Sequence, residues 1–287
     1  MNETLENYRN YLKYERNYSD NTVSAYINDL NKYEEFLKND ILESDAEDLE
    51  KYLKYIGGMQ STTVAHKITA IKSYFNYNIK RGIVKSNPAN KVSRPKLAKH
   101  LPEYLTEEEV SKLLDVEVKS PYDFRNKTIL ELLYSSGIRI SELVNIKTPN
   151  YDSEECLIRI MGKGSKERII PLGDYAINIM NDYMNNYRPL INKKFTDYIF
   201  INNRGDKISR QFIFKVIKKE ALKKGIKKDI SPHTLRHTFA THLLKNGADL
   251  RIIQELLGHE NISTTQIYTH VTNNKLKSDY ETYFPKD

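Results

Sequence analysis

The chain has one cysteine, Cys156, in 287 residues. That excludes an intramolecular disulfide and a zinc site built from cysteines, and it fits a reducing cytoplasm. No window approaches the roughly 18 apolar residues of a membrane span, and the opening run MNETLENYRNYLKYERN has no apolar core of signal-peptide length. A soluble intracellular protein is expected. No internal repeat or low-complexity tract stands out, and HExxH is missing. The segment GKGSK lacks the GxxxxGK[ST] spacing and the following helix of a phosphate loop, so nucleotide hydrolysis has little support.

What the chain does have is positive charge. Its 45 Lys and Arg exceed 38 Asp and Glu, a formal charge of +7, which favours a polyanionic partner. The signal is modest, because AT-rich codons alone enrich a chain in Asn, Lys, Ile and Tyr. The length suits two domains.

Helical spacing dominates the first 85 or so residues, with helices expected at Leu5 to Tyr14, Asn21 to Leu37, Leu49 to Ile56 and Thr62 to Ile79. Val23, Tyr26, Ile27, Leu30, Tyr33 and Leu37 form one stripe, and Val64, Ile68, Ile71 and Phe75 another. Prolines 88, 95 and 102, with four basic residues between Lys91 and Lys99, then break the pattern. The expected plan is an all-helical domain over 1–87, a basic linker over 88–102 and a mixed, mainly helical domain over 103–287 with a small antiparallel sheet.

In that second domain a capping box at Thr106 and Glu109 opens a helix to Leu114, and further helices are expected at Phe124 to Ser135, at Tyr175 to Tyr187 and after Ser209. Strand patterns run from Leu157 to Met161, Arg168 to Leu172 and Tyr198 to Ile201.

Three segments carry unusual residues. In SSGIRISEL, Gly137 ends a helix and Arg139 follows at once. In MGKGSKERIIPL, Gly162 and Gly164 flank Lys163 in a hairpin turn, from which a lysine can reach into a site. In SPHTLRHTFATHLLKNG, Ser231 caps a helix with Pro232 at its first position, and His233 and Arg236 share one polar face near the positive helix end. Leu235, Phe239 and Leu243 mark its buried side, where His242 reads as a packed core histidine, and His237 is intermediate. A zinc reading of His233, His237 and His259 ranks low, since Arg236 between them repels a cation. Gly258-His259 ends the Leu250 to Leu257 helix, and nine residues later, in a stretch opened by a Ser263–Gln266 capping box, stands Tyr268. A free tyrosine is only about one part in a thousand ionised at neutral pH, so a reactive one needs a base and positive charge nearby.

SGIRISEL, GKGSKER, HTLRHTFATHLL, LLGH and STTQIYTHV, in that order, resemble the tyrosine recombinase, or lambda integrase-like, family, most strongly its Xer site-specific recombinases of chromosome dimer resolution. The resemblance spans nearly the whole chain. It implies a SAM-like, core-binding N-terminal domain, a catalytic C-terminal domain, and an active site of Arg139, Lys163, His233, Arg236, His259 and Tyr268. Tyr268 would attack a DNA phosphate to give a 3′-phosphotyrosyl bond, with neither cofactor nor metal; Glu142 would order the arginine segment. The implied partners are duplex DNA with short inverted half-sites, a homo- or hetero-tetramer on two duplexes, a second Xer-like recombinase and a DNA translocase, in the cytoplasm at the nucleoid. No additional arm-binding domain precedes the helical one, which weighs against many mobile-element integrases. A mobile-element integrase, a type IB-like topoisomerase or resolvase, and a catalytically silent DNA-binding regulator are the alternatives. The tail from Asn273 onward, with a weak apolar stripe of Leu276, Tyr280, Tyr283 and Phe284, would dock on a neighbouring protomer; folding back on its own domain is the simpler possibility.

Overall fold

The computed structural model describes residues 3–92, 103–161, 167–258, 280 and 282–284. The chain divides into two compact units, Met1–Lys99 and His100–Asp287.

The first unit is helical. Helix α1, Glu3–Asn10, runs on into a wide turn at Tyr11–Glu15; α2, Asp20–Leu37, starts on the Ser19 cap; α3, Ala46–Tyr55, starts on a capping box of Asp45 and Asp48; and α4 is Ser61–Lys80. The expected stripes become its core: Val23, Ile27, Leu30 and Tyr33 of α2 meet Val64, Ile68, Ile71 and Phe75 of α4. Tyrosines fill much of the rest, with Tyr8, Tyr33, Tyr52 and Tyr74 almost fully buried. The unit continues into the expected linker. Pro88–Asn90 form a 3-10 turn that buries Ala89, and the Asn87 side chain donates to the Lys72 carbonyl. Residues 88–90 thus pack along α4 at the start of the expected linker. Residues 93–102, the rest of that segment, lie outside the described residues.

In the second unit α5, Glu107–Leu114, opens on the expected capping box of Thr106 and Glu109. Helix α6, Pro121–Ser136, is central: Ile129, Leu130, Leu132 and Leu133 are all fully buried. It begins three residues before the expected Phe124, because Ser120 caps it and Pro121 occupies its first turn. A short α7, Ile140–Leu143, leads to a three-stranded antiparallel sheet in the order β1 (Tyr151–Asp152), β2 (Leu157–Met161), β3 (Glu167–Pro171). The β2–β3 register pairs Leu157 with Pro171 and Ile160 with Arg168.

Helix α8, Asp174–Asp182, passes through a wide turn at Tyr183–Tyr187 into α9, Arg188–Ile191. The expected strand at Tyr198 to Ile201 makes only isolated bridges, Lys147 with Tyr198 and Ile201 with Lys207. Its side chains are core all the same, Ile199, Phe200 and Ile201 being buried. Helix α10 is Arg210–Lys223, α11 is Pro232–Lys245 and α12 is Leu250–Leu257. Phe239 and Leu243 of α11 pack with Ile253, Leu256 and Leu257 of α12 and with Tyr280 from the tail.

Candidate active site

The site forms where three helix ends meet one strand. Helix α6 stops at Gly137, whose φ of 56° is left-handed, and a Cβ there would collide with Phe239 and Leu257. That close approach sets the end of α6 against α11 and α12.

Two residues on, Arg139 is extended and caps α7. Its amide donates to Glu142 Oε2 at 2.9 Å, its Nη1 to Glu142 Oε1 at 3.0 Å, and its Nη2 to the Gly258 carbonyl at 3.1 Å. The side chain is 42% exposed, so a ligand can reach it. Glu142 thus holds the arginine segment through both the backbone and the side chain of Arg139.

Arg236 reaches the same place from α11. It is buried, donating through Nη1 to the Gly137 carbonyl and through Nη2 to the Leu257 carbonyl at 2.7 Å. Burial first, then the charges of Arg139 and Arg168, bring its pKa down to about 10. It remains protonated at neutral pH. His233, one turn earlier on the same helix, is exposed, whereas His237 is half-buried edge-on to Tyr104.

His242 is the core residue its position implies: Tyr134 Oη and His242 Nδ1 are 2.9 Å apart, and Nε2 lies 2.9 Å from the Leu105 carbonyl. The carbonyl only accepts, so Nε2 carries the proton and Nδ1 accepts from Tyr134.

A third guanidinium, Arg168 on β3, completes the cluster. Its Nη2 donates to Glu142 Oε2 at 2.8 Å and its Nη1 to the Leu257 carbonyl that Arg236 also uses. In the sequence Arg168 reads only as the start of a strand. A signal was there: residues 168 and 170 share one face of β3, Leu172 follows the strand at the same spacing, and Ile170 and Leu172 are buried. An arginine in a core-facing row needs a partner inside.

Three guanidiniums around one carboxylate give the cluster a formal surplus of two positive charges. Lys163, His259 and Tyr268 lie outside the described residues. By sequence, Lys163 belongs to the connection between β2 and β3, and His259 directly follows the Gly258 whose carbonyl Arg139 holds. Among the described residues no three His, Cys, Asp or Glu side chains gather as a metal-binding set, and no helix is long and apolar enough to cross a membrane.

The first unit has a groove of about 490 Å³ edged by Tyr11, Arg16, Lys72, Asn76 and Lys80, with Arg16 and Lys80 exposed.

The phage integrase family matches residues 103–275, and the SAM-like N-terminal domain of phage integrases matches residues 5–82. The chain belongs to this family, the tyrosine recombinases, enzymes that cleave and rejoin DNA through a phosphotyrosyl intermediate. Within it the chain is closely related to the Xer recombinases. It is 40% identical to tyrosine recombinase XerD of Chlorobaculum tepidum over 99% of this chain and 96% of that protein. Identity to tyrosine recombinase XerD of Oceanobacillus iheyensis is 39%, over 98% of each. The crystal structure of XerH site-specific recombinase bound to palindromic difH substrate, a post-cleavage complex, shares the fold with a TM-score of 0.68 at 24% identity, over 96% of this chain and 82% of that one.

Proposed function

We propose that Arg139, Lys163, His233, Arg236, His259 and Tyr268 act together on one phosphodiester of duplex DNA. The observation that supports this most is the meeting of Arg139 and Arg236 at the end of α12, beside the residue that leads into His259. The two guanidiniums take the non-bridging oxygens and stabilise the charge of a trigonal-bipyramidal transition state. Tyr268 Oη attacks phosphorus while its proton passes to His233. The bond to the 5′-oxygen breaks as that oxygen takes a proton from Lys163, and His259 hydrogen-bonds the phosphate. One ester replaces another, so a second 5′-hydroxyl can reverse the step onto a new strand without an external energy source.

A nicked duplex carrying the site tests this. The protein should form an adduct with DNA that survives denaturation and excess EDTA, and Tyr268→Phe should abolish it. An adduct that persists in Tyr268→Phe would reject the assignment.

The groove of the first unit, with Arg16, Lys72 and Lys80, suits a DNA backbone. Together with a basic segment between the units, it supports a clamp on short inverted half-sites, and the likeness to Xer recombinases supports four protomers on two duplexes in chromosome dimer resolution, in the cytoplasm at the nucleoid. A second recombinase for the other strand pair, and an activating translocase, belong to the same reading. Recombination of a selected site by this protein alone would show that it needs no partner. The C-terminal tail, in that assembly, docks on the next protomer around the ring.

A further inference from the structure

Arg168 is the one guanidinium of the cluster to which the reaction above gives no role. Its side chain is 17% exposed, less than half the exposure of Arg139. Both of its Nη atoms are engaged, one by Glu142 and one by the Leu257 carbonyl. Its Nε is buried without a partner among the described residues. Burial lowers its pKa, Glu142 opposes that, and Arg139 adds to it. It is held near two like charges, with one carboxylate and one carbonyl to offset them.

The contacts make Arg168 a junction. Glu142 Oε2 accepts from both the Arg139 amide and Arg168, while Oε1 accepts from the Arg139 guanidinium. The Leu257 carbonyl accepts from both Arg168 and Arg236. One side chain therefore touches the partner of each proposed phosphate-clamping arginine and touches neither arginine directly. Its path is also built into the backbone. Arg168 crosses Gly258 so closely that any Cβ there would strike its Cδ and guanidinium, and Gly258 has a left-handed φ of 65°.

We propose that Arg168 is a positioning residue for the phosphate clamp: by fixing the Glu142 carboxylate and the end of α12 it sets the spacing of Arg139 and Arg236 before DNA arrives. The inference rests on those two arginines being the clamp. Arg168 acts on charge stabilisation at the non-bridging oxygens and not on protonation of the leaving oxygen, although it lies on the strand that follows the Lys163 connection. Its service is preorganisation, which raises rate without adding much affinity.

Three substrates separate the possibilities: a normal phosphodiester, a 5′-bridging phosphorothiolate, whose sulfur leaves without a proton, and a methylphosphonate, which carries one negative charge fewer at its non-bridging positions. Arg168→Met preserves length and apolar stem while leaving Glu142 paired with Arg139. It should bind a half-site nearly as well as the wild type, cleave the normal bond roughly 10- to 100-fold more slowly, as supporting groups around charged sites do when removed, and regain most of that loss on the methylphosphonate but not on the phosphorothiolate. Arg168→Lys, with one ammonium for two acceptors, should show a smaller loss with the same substrate pattern, and it carries the test if the methionine variant fails to fold. Rescue by the phosphorothiolate, an equal loss on all three substrates, or a fall in affinity matching the fall in rate would overturn the inference. Arg139→Ala is the control for the underlying reading. If its own defect is not relieved by the methylphosphonate, the clamp assignment fails; if it is relieved while that of Arg168→Met is not, only the positioning role fails.

Discussion

Arg236 and His242 are less than two turns apart on α11 and both withdrawn from water, but burial acts on them differently. Arg236 keeps its charge, beside two like charges, because backbone carbonyls at two helix ends hold it. His242 is kept neutral: burial lowers its pKa, the Leu105 carbonyl and Glu107 oppose this, and Lys245 reinforces it. A base whose pKa is lower folded than unfolded binds protons more readily in the unfolded chain, so stability is lost as pH falls below the ordinary histidine value of about 6.5. Protonation would also force Nδ1 to donate to Tyr134, reversing that hydrogen bond. His242→Gln, which can still donate to Leu105 and accept from Tyr134, should flatten the dependence of melting temperature on pH between about 5 and 7. An unchanged slope would show that His242 does not carry the acid sensitivity.

At the scale of elements, the end of α6 has the tightest geometry. A side chain at Gly137 would meet both the left-handed backbone and the rings and methyls of Phe239 and Leu257, whereas at Gly225, with φ of 68°, nothing lies within 4 Å. Gly225→Ala should cost about 1–2 kcal/mol from the backbone alone. Gly137→Ala adds overpacking and should cost roughly 2–4 kcal/mol, read from urea unfolding midpoints. Equal losses would mean that α11 and α12 yield at this contact. Elements of this kind were legible in the sequence wherever local chemistry decides them: the Thr106, Ser209 and Ser231 caps all start helices. Strand β1 was not, since two residues carry no period and pair only because β2 is there to receive them. The wide turn at Tyr183–Tyr187 inside the expected helix also gave no local sign. For the site, Arg236 is legible from its helix face and Arg139 only through the family resemblance; Arg168 shows as an arginine in a core-facing row, but sequence spacing does not contain its partners, Glu142 and the Leu257 carbonyl.

For the whole molecule, the tail matters most. Tyr280 is buried within the second unit, its Oη donating to the Ser135 carbonyl at 2.8 Å and its ring against Gly173, while Phe284 packs on Phe239 and Tyr134. In the single chain the described part of the tail therefore folds back on its own domain, the simpler of the two expectations. The same apolar pocket would accept a neighbour's tail if protomers exchange them, an exchange that costs little because the contacts are identical. Truncation after Thr272 should leave half-site binding in place but abolish cooperative assembly and ordered strand exchange, as followed by gel mobility at increasing protein concentration. Wild-type cooperativity in the truncated protein would exclude tail exchange.

The carbonyls of Gly137, Leu257 and Gly258 take one N–H of Arg139 and two of Arg236, out of the five that every guanidinium carries. If these two arginines are the clamp, a scissile phosphate would take donors on guanidiniums whose direction the carbonyls have already fixed. Free phosphate in dilute solution would have only those donors to hold it. A duplex already held by many other contacts presents its phosphate at a far higher effective concentration. On that reading the site would engage chiefly after DNA has been captured elsewhere. The Leu257 and Gly258 carbonyls end the helix that leads, in sequence, toward His259 and Tyr268, so on the proposed reading the contacts that fix both arginines also fix where that stretch begins.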